Sequence, residues 1–394
     1  MLQKIKNPKN IRIITLIIVI ILFIYSFLGN EGELVENVSI PMAVGYDIKE
    51  MDGKEYVVPI LMAVQDQQET GIIQIGEGNS LGESREDRSS KMDKKLILGV
   101  ERSYIISEAQ ARLGVRELLD ILVRNPRTND RGYVSVCSGK AYDILKQKNI
   151  KGVNPAEYTE NLIKNLNEAY FYVKNFTAID MIVRVDAEGR TLVLPYIEMK
   201  DGGLQNTGLA IFKGEKMIGV ANLNETKFIN LMKFNGGKGM ITIQENVKEY
   251  INFYGKSKRK VKCFKENGKY NFIINIDLKG TVVSNVLYKN LDNDPKEVEK
   301  CQNEIEKEVE SQCQDVVEKI NKEYKTDVLG LGKYAVAKYG RDTGQDWNDI
   351  VPKSNIKVKA NVTLESQGRA NYTEYVSNRA ENLGRTQQQS GVQH

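Results

Sequence analysis

Sixteen consecutive uncharged residues, IITLIIVIILFIYSFL over 13–28, dominate the start of the hydrophobic pattern, and the uncharged stretch continues through Gly29 and Asn30. As a helix, the 18 residues from 13 to 30 reach about 27 Å, near the lower limit for crossing a hydrocarbon core of about 30 Å. Lys4, Lys6, Lys9 and Arg12 precede the run, and Glu31, Glu33 and Glu36 follow it. The positive-inside rule then places residues 1–12 in the cytoplasm and everything beyond residue 30 outside. No small-x-small cleavage site closes the run and no Cys occurs before Cys137, so an uncleaved anchor is expected in preference to a signal peptide or a lipidated terminus.

Beyond residue 30 the pattern alternates between the periods of strands and helices. Residues 38–46 and 56–64 read as strands of a hairpin turning at Asp52-Gly53. A charged helix is expected over 83–94, a β-rich run over 96–107, and a helix over 108–124 with Leu113, Leu118, Leu119, Leu122 and Val123 on one side, stopped by Asn125-Pro126. A strand over 133–137 and a short helix over 140–146 follow, and Asn154-Pro155 opens a further helix in the cap-then-proline order. Strands are expected over 191–198, 207–213 and 217–221, then a helix over 225–233; Asn235 to Gly239 is a flexible loop or a domain joint. Asp294-Pro295 announces the longest helix, whose stripe Val298, Cys301, Ile305, Val309, Cys313, Val316, Ile320 and Tyr324 fits a single face packed on a sheet. A helix over 333–339 and a strand over 356–364 precede a polar tail.

These elements predict a mixed α/β (α+β) chain: an N-terminal transmembrane helix followed by a multi-domain ectodomain of mixed sheets packed with helices. The expected division is a cytoplasmic basic segment 1–12, an anchor 13–30, an N-terminal α/β domain 31–190, a middle sheet-containing region 191–250, a C-terminal α/β domain 251–366 with the long helix, and a solvated tail 367–394.

Composition narrows the chemistry. The 394 residues are 41% hydrophobic, and 56 Lys+Arg against 52 Asp+Glu leave a net charge of +4, too thinly spread for the basic face that binds nucleic acid. The single histidine is His394, the last residue, so no imidazole is held by surrounding structure for a triad or a zinc site. Cys137, Cys263, Cys301 and Cys313 lack CxxC spacing; Cys301 and Cys313 would lie about 18 Å apart along one helix, beyond disulfide reach, so the four read as apolar fillers. Gly330-Leu331-Gly332-Lys333 is too short a fragment to be a phosphate loop, and Asp292-Asn293-Asp294 lacks the rest of a calcium loop. Lys256-Ser257-Lys258-Arg259-Lys260 reads as a solvated loop that would touch anionic headgroups if it faced a membrane. No catalytic, cofactor or metal residues are expected.

Three segments carry a resemblance. Residues 96–145, with the leucine-rich helix 118–123, the turn Arg124-Asn125-Pro126 and the step Gly139-Lys140-Ala141, resemble the N-terminal region of the Ger(x)C family, the C subunits of nutrient germinant receptors in spores. GLAIFKGEKMIGVANLNET over 208–226 is similar to the hairpin that opens that family's second half, and INKEYKTDVLGLGKYAVAKY over 320–339, with Trp347 and 356–364, to its C-terminal signature. The chain departs in lacking the lipidated Cys, for which the helix 13–28 would substitute. The resemblance implies a non-enzymatic subunit on the outer face of the inner spore membrane. Its implied partners are the multi-pass membrane A and B subunits of the same receptor and, through the N-terminal helix, membrane lipid. Arg124, Asn125 and Pro126 are the candidate interaction turn. A tethered carboxylate-based envelope hydrolase and a solute-binding protein are the alternatives.

Overall fold

The apolar run forms one helix, α1 (Pro8–Leu28), in the computed structural model of the chain. The structure describes residues 8–28, 34–50, 54–63, 71–288, 291 and 294–366; Asp52-Gly53, Asp292-Asn293 and the tail from 367 to His394 lie outside the described residues. Ile14, Leu16, Ile20 and Phe23 are all exposed. Among the described residues no helix is long and apolar enough to cross a membrane. The expectation of a spanning segment is met here only as far as the helix itself.

Period-two alternation then yields β1 (Val38–Ser39), β2 (Pro41–Glu50), β3 (Lys54–Met62) and β4 (Ile72–Gly78). Ser80 caps α2 (Leu81–Ser90) by accepting from the Glu83 N–H. After β5 (Lys95–Leu96) and β6 (Ser103–Ser107), the helix expected over 108–124 divides into α3 (Glu108–Leu113) and α4 (Arg116–Arg124). The break is at Gly114, whose φ of +143° no L-residue adopts readily and whose carbonyl accepts from Gln110 Nε2. β7 (Tyr133–Cys137), α5 (Ala141–Leu145), α6 (Pro155–Asn165) and α7 (Ala178–Asp186) follow, then β8 (Val193–Lys200), β9 (Gly203–Lys213) and β10 (Lys216–Asn222).

Eight of these strands form one sheet in the order β10-β9-β8-β7-β6-β2-β3-β4, parallel from β2 through β6 and β7 to β8 and antiparallel elsewhere. The boundary expected near residue 190 falls just before β8, and β8 pairs within this same sheet. Alternation splits the side chains between two layers. Ala43, Leu61, Ile105 and Ile197 pack with α5 and α6 on one face, while Val44, Tyr46, Ile60, Tyr104 and Ile106 face the other way into the main core.

Helix α8 (Leu223–Lys233), closed by a capping box between Asn222 and Glu225, carries the chain into a second sheet. Its strands are β11 (Lys238–Asn246), β12 (Glu249–Glu266), β13 (Lys269–Asn285) and, beyond α9 (Pro295–Lys319), α10 (Gly332–Tyr339) and α11 (Trp347–Ile350), β14 (Asn355–Ser366). The predicted stripe on α9 is buried at Cys301, Ile305, Val309, Cys313 and Val316. All four cysteines are buried and free.

The same helix also covers the sheet edge. Gln302, Glu306 and Glu310 accept from the backbone N–H groups of Leu364, Val362 and Ala360 at 3.4, 2.8 and 2.8 Å. Four helical residues rise about 6.0 Å and two strand residues about 6.8 Å, so an i, i+4 row meets alternate N–H groups of a strand running the other way. An edge that would otherwise template another chain is thereby satisfied. The variant Glu306→Ala/Glu310→Ala is expected to lose about 1–3 kcal/mol per bond in urea unfolding and to self-associate in sedimentation. Unchanged stability and a monodisperse variant would show the edge to be covered by packing alone.

Candidate functional site

Three strands and two helices enclose a cavity of about 410 Å³ in the N-terminal half. Val44 and Tyr46 of β2, Ile60 of β3 and Tyr104 of β6 form its floor, and α2 and α4 its walls, with the segment 92–101 along the rim. Gly76 sets the seat of α2: a Cβ there would stand 1.9 Å from the Ser84 carbonyl oxygen, so the helix lies directly on β4. That seating turns Arg88 inward, 6% exposed, and Nη1 has no hydrogen-bond partner. Burial holds its guanidinium below its ordinary pKa and pushes the Tyr46 phenol up, with the Glu101 charge adding to the latter. Glu101, 1% exposed, is occupied: Oε2 accepts from the Gly99 and Asn129 N–H groups at 3.0 and 3.2 Å.

On the outer side of α4 an open groove of about 840 Å³ includes all three residues of the candidate turn, together with Arg85, Arg116 and Val123. Asn125 lines both the groove and the cavity. Locally the turn is a helix stop: Asn125 is the C-cap of α4, its Oδ1 accepts from the Arg127 N–H, and Arg124 Nε pairs with Asp120 at 2.7 Å. The exposed Arg124 pair contributes little to stability. Val123, expected on the inner side of its helix, is 61% exposed on the groove instead.

The second unusual feature is a buried cluster of cations where the two halves meet. Lys233, at the end of α8, donates from Nζ to Thr191 Oγ1 and to the Val328 carbonyl, both at 2.8 Å. Arg184 lies over the rings of Phe176 and Phe234, and Arg259 over Tyr334. Asp327 is fully buried and accepts from the Leu331 and Gly332 N–H groups at 2.9 and 2.7 Å, closing the turn before α10. Burial pushes the Asp327 carboxyl up, while burial draws Lys233 well below the ordinary lysine range. Lys333 falls to about 8, first through burial and then through Arg259 and Arg190.

The basic run 256–260 is a correction to the expected solvated loop. It lies within β12, and period-two alternation exposes Lys256, Lys258 and Lys260 while burying Ser257 and Arg259. Asn235 to Gly239 is a joint: Gly237 packs where a Cβ would meet the Phe171 carbonyl oxygen at 2.3 Å, and Asn235 Oδ1 accepts from the Arg259 N–H. Arg88, Glu101 and Lys233 escaped the sequence reading because each sits in a polar-looking window whose burial is set by partners distant in the chain. Among the described residues no group of three or more His, Cys, Asp or Glu is placed to hold a metal.

This α+β architecture, with its eight-stranded and four-stranded sheets and the small β1-β5 pair, matches a solved structure, the crystal structure of the GerBC protein. The match has a TM-score of 0.53 and 19% identity, over 85% of this chain and 100% of that one, and shows the fold. Two family models adjoin along the sequence: the spore germination protein N-terminal domain over 32–199 and the spore germination B3/GerAC-like C-terminal domain over 207–368. The chain belongs to the Ger(x)C family, the C subunits of spore germinant receptors. It is similar to the spore germination protein GerQC of Bacillus cereus, 28% identical over 287 residues (71% of this chain and 78% of the relative). It is likewise similar to the spore germination protein YndF of Bacillus subtilis (strain 168), 24% identical over 299 residues (74% and 73%).

The cation cluster yields a pH dependence. An unfolded chain keeps the Lys333 proton up to its ordinary value of 10.5, whereas the folded chain releases it near 8. Between those values the unfolded state binds more protons, so stability rises with pH through this window. Relative to Lys333→Met, the wild-type Tm is expected to climb from pH 8 to pH 10; a constant difference between the two would contradict the burial assigned to this ammonium.

Proposed function

We propose that this chain is the non-enzymatic C subunit of a nutrient germinant receptor, held at the inner spore membrane by α1 with its two-sheet body on the outer face. The observation that carries the reading is the pair of adjoining family domains covering 32–199 and 207–368 behind an apolar segment. Support for the anchor comes from the sixteen uncharged residues of 13–28. On α1, Ile13, Leu16, Ile17, Ile21, Leu22 and Phe23 are 50% exposed or more, a surface that water does not favour and acyl chains do. The basic residues before the run and the acidic ones after it support an outward body.

In this reading the body assembles with the multi-pass membrane A and B subunits of the same receptor and converts nutrient binding into the start of germination. The groove beside α4 is the proposed contact, with Arg124, Asn125 and Pro126 at its rim and the exposed Val123 within it.

Deleting the gene in a spore-forming host is expected to abolish the response to one nutrient while germination through a receptor-independent route stays intact. Normal germination with every nutrient, combined with failure to co-purify any multi-pass membrane protein, would overturn the assignment. Arg124→Ala and Val123→Asp are expected to lower recovery of the membrane partners severalfold with little change in Tm; unchanged recovery for both would remove the groove as the contact.

A further inference from the structure

The cavity between the first sheet and helices α2 and α4 contains the ingredients of a small-molecule site, independently of the receptor reading. Its volume of about 410 Å³ lies within the range of ligand pockets, and about half of its lining is apolar, with Val44, Ile60, Leu81 and Leu122 among the walls. Against those apolar walls stands one cation, Arg88, that the fold buries and leaves without an ion pair among the described residues. The nearest candidates for a counter-charge are committed elsewhere. Asp87 accepts from the Glu77 N–H at 2.8 Å and pairs with Lys91 at 2.6 Å, and Glu101 is held by backbone N–H groups as described above.

A guanidinium removed from water and left unpaired is costly, and Arg presents a planar fork that fits a carboxylate. Arg85, Lys94 and Arg127 line the same cavity and are exposed, so the potential at its mouth also favours an anion. A wholly apolar ligand would leave Arg88 unsatisfied, and a small inorganic anion would leave Val44, Ile60, Leu81 and Leu122 without contacts. We propose that this cavity binds a small apolar molecule carrying one carboxylate, whose acid group pairs with Arg88 while its body fills the space between the sheet and the helices.

Full-length protein in detergent would be titrated with 3-phenylpropanoate and with 3-phenylpropan-1-ol, using matched empty micelles as blanks. Wild type is expected to bind the carboxylate at least tenfold more tightly than the alcohol. Arg88→Met is expected to erase that preference and, because it removes an unpaired buried charge, to raise the ligand-free Tm; Arg88→Lys should keep part of the preference. Ile121→Trp, at the partly exposed cavity wall, is expected to abolish binding with Arg88 intact, which guards against a misfolded Arg88 variant. The proposal is overturned by equal affinity for acid and alcohol, by a preference that survives in Arg88→Met, by undiminished binding to Ile121→Trp, or by no saturable binding of either compound to wild type.

Discussion

The ammonium of Lys233 is the point on which the two halves of the molecule depend. It leaves the last turn of α8, the helix that connects the two sheets, and ties Thr191, just before β8, to Val328, just before α10. A lysine buried to this degree survives only where its protons are taken up, because desolvation of an unbonded ammonium costs several kcal/mol. The segment beside Thr191 reinforces the tie. Glu188 accepts from Trp347 Nε1 at 3.2 Å and from the Asp342 N–H at 3.0 Å, and a Cβ at Gly189 would stand 2.5 Å from the Gly332 carbonyl carbon. Residues 188–191 thus act as a strap from the first sheet onto the second half, and the main core runs through both.

That joint explains why so much positive charge is tolerated in one place. Arg259 rests on an aromatic face, Arg184 on two rings and on the Asp180 carboxylate at 3.9 Å, and Asp327 spends its oxygens on backbone N–H groups that order the turn before α10. The first half can then be a rigid frame around its cavity, since β2, β3 and β6 are central strands of an eight-stranded sheet. In the second half, α9 covers the free edge of β14.

Much of this was legible in the sequence. Hydrophobic alternation placed most strands, and the core of the α9 stripe, Cys301, Ile305, Val309, Cys313 and Val316, is buried as expected, with Val298 half-buried and Val317 added to it. The Gly139-Lys140-Ala141 step marks the start of α5, where buried Asp47 accepts from the Ala141 and Tyr142 N–H groups at 2.7 and 2.9 Å. The division of the helix over 108–124 was missed although the step of five from Leu113 to Leu118 across Gly114 breaks the helical period. Not legible were the inward turn of Arg88, which a charged window disguises as a solvated face, and the burial of Arg259 within a basic run. These depend on which strand or helix lies opposite, and a single sequence does not contain that. The candidate turn at Arg124 was found from a resemblance; its placement between cavity and groove came from the packing of α2 against α4.

The central claim, that one buried ammonium makes two sheets a single cooperative body, is tested most directly by differential scanning calorimetry of the full chain and of Lys233→Met. The account predicts one transition for the wild type and, for the variant, either two separated transitions or a single one at markedly lower Tm. Two transitions in the wild type, or a variant indistinguishable from it, would contradict the claim and leave the halves as separately folding neighbours.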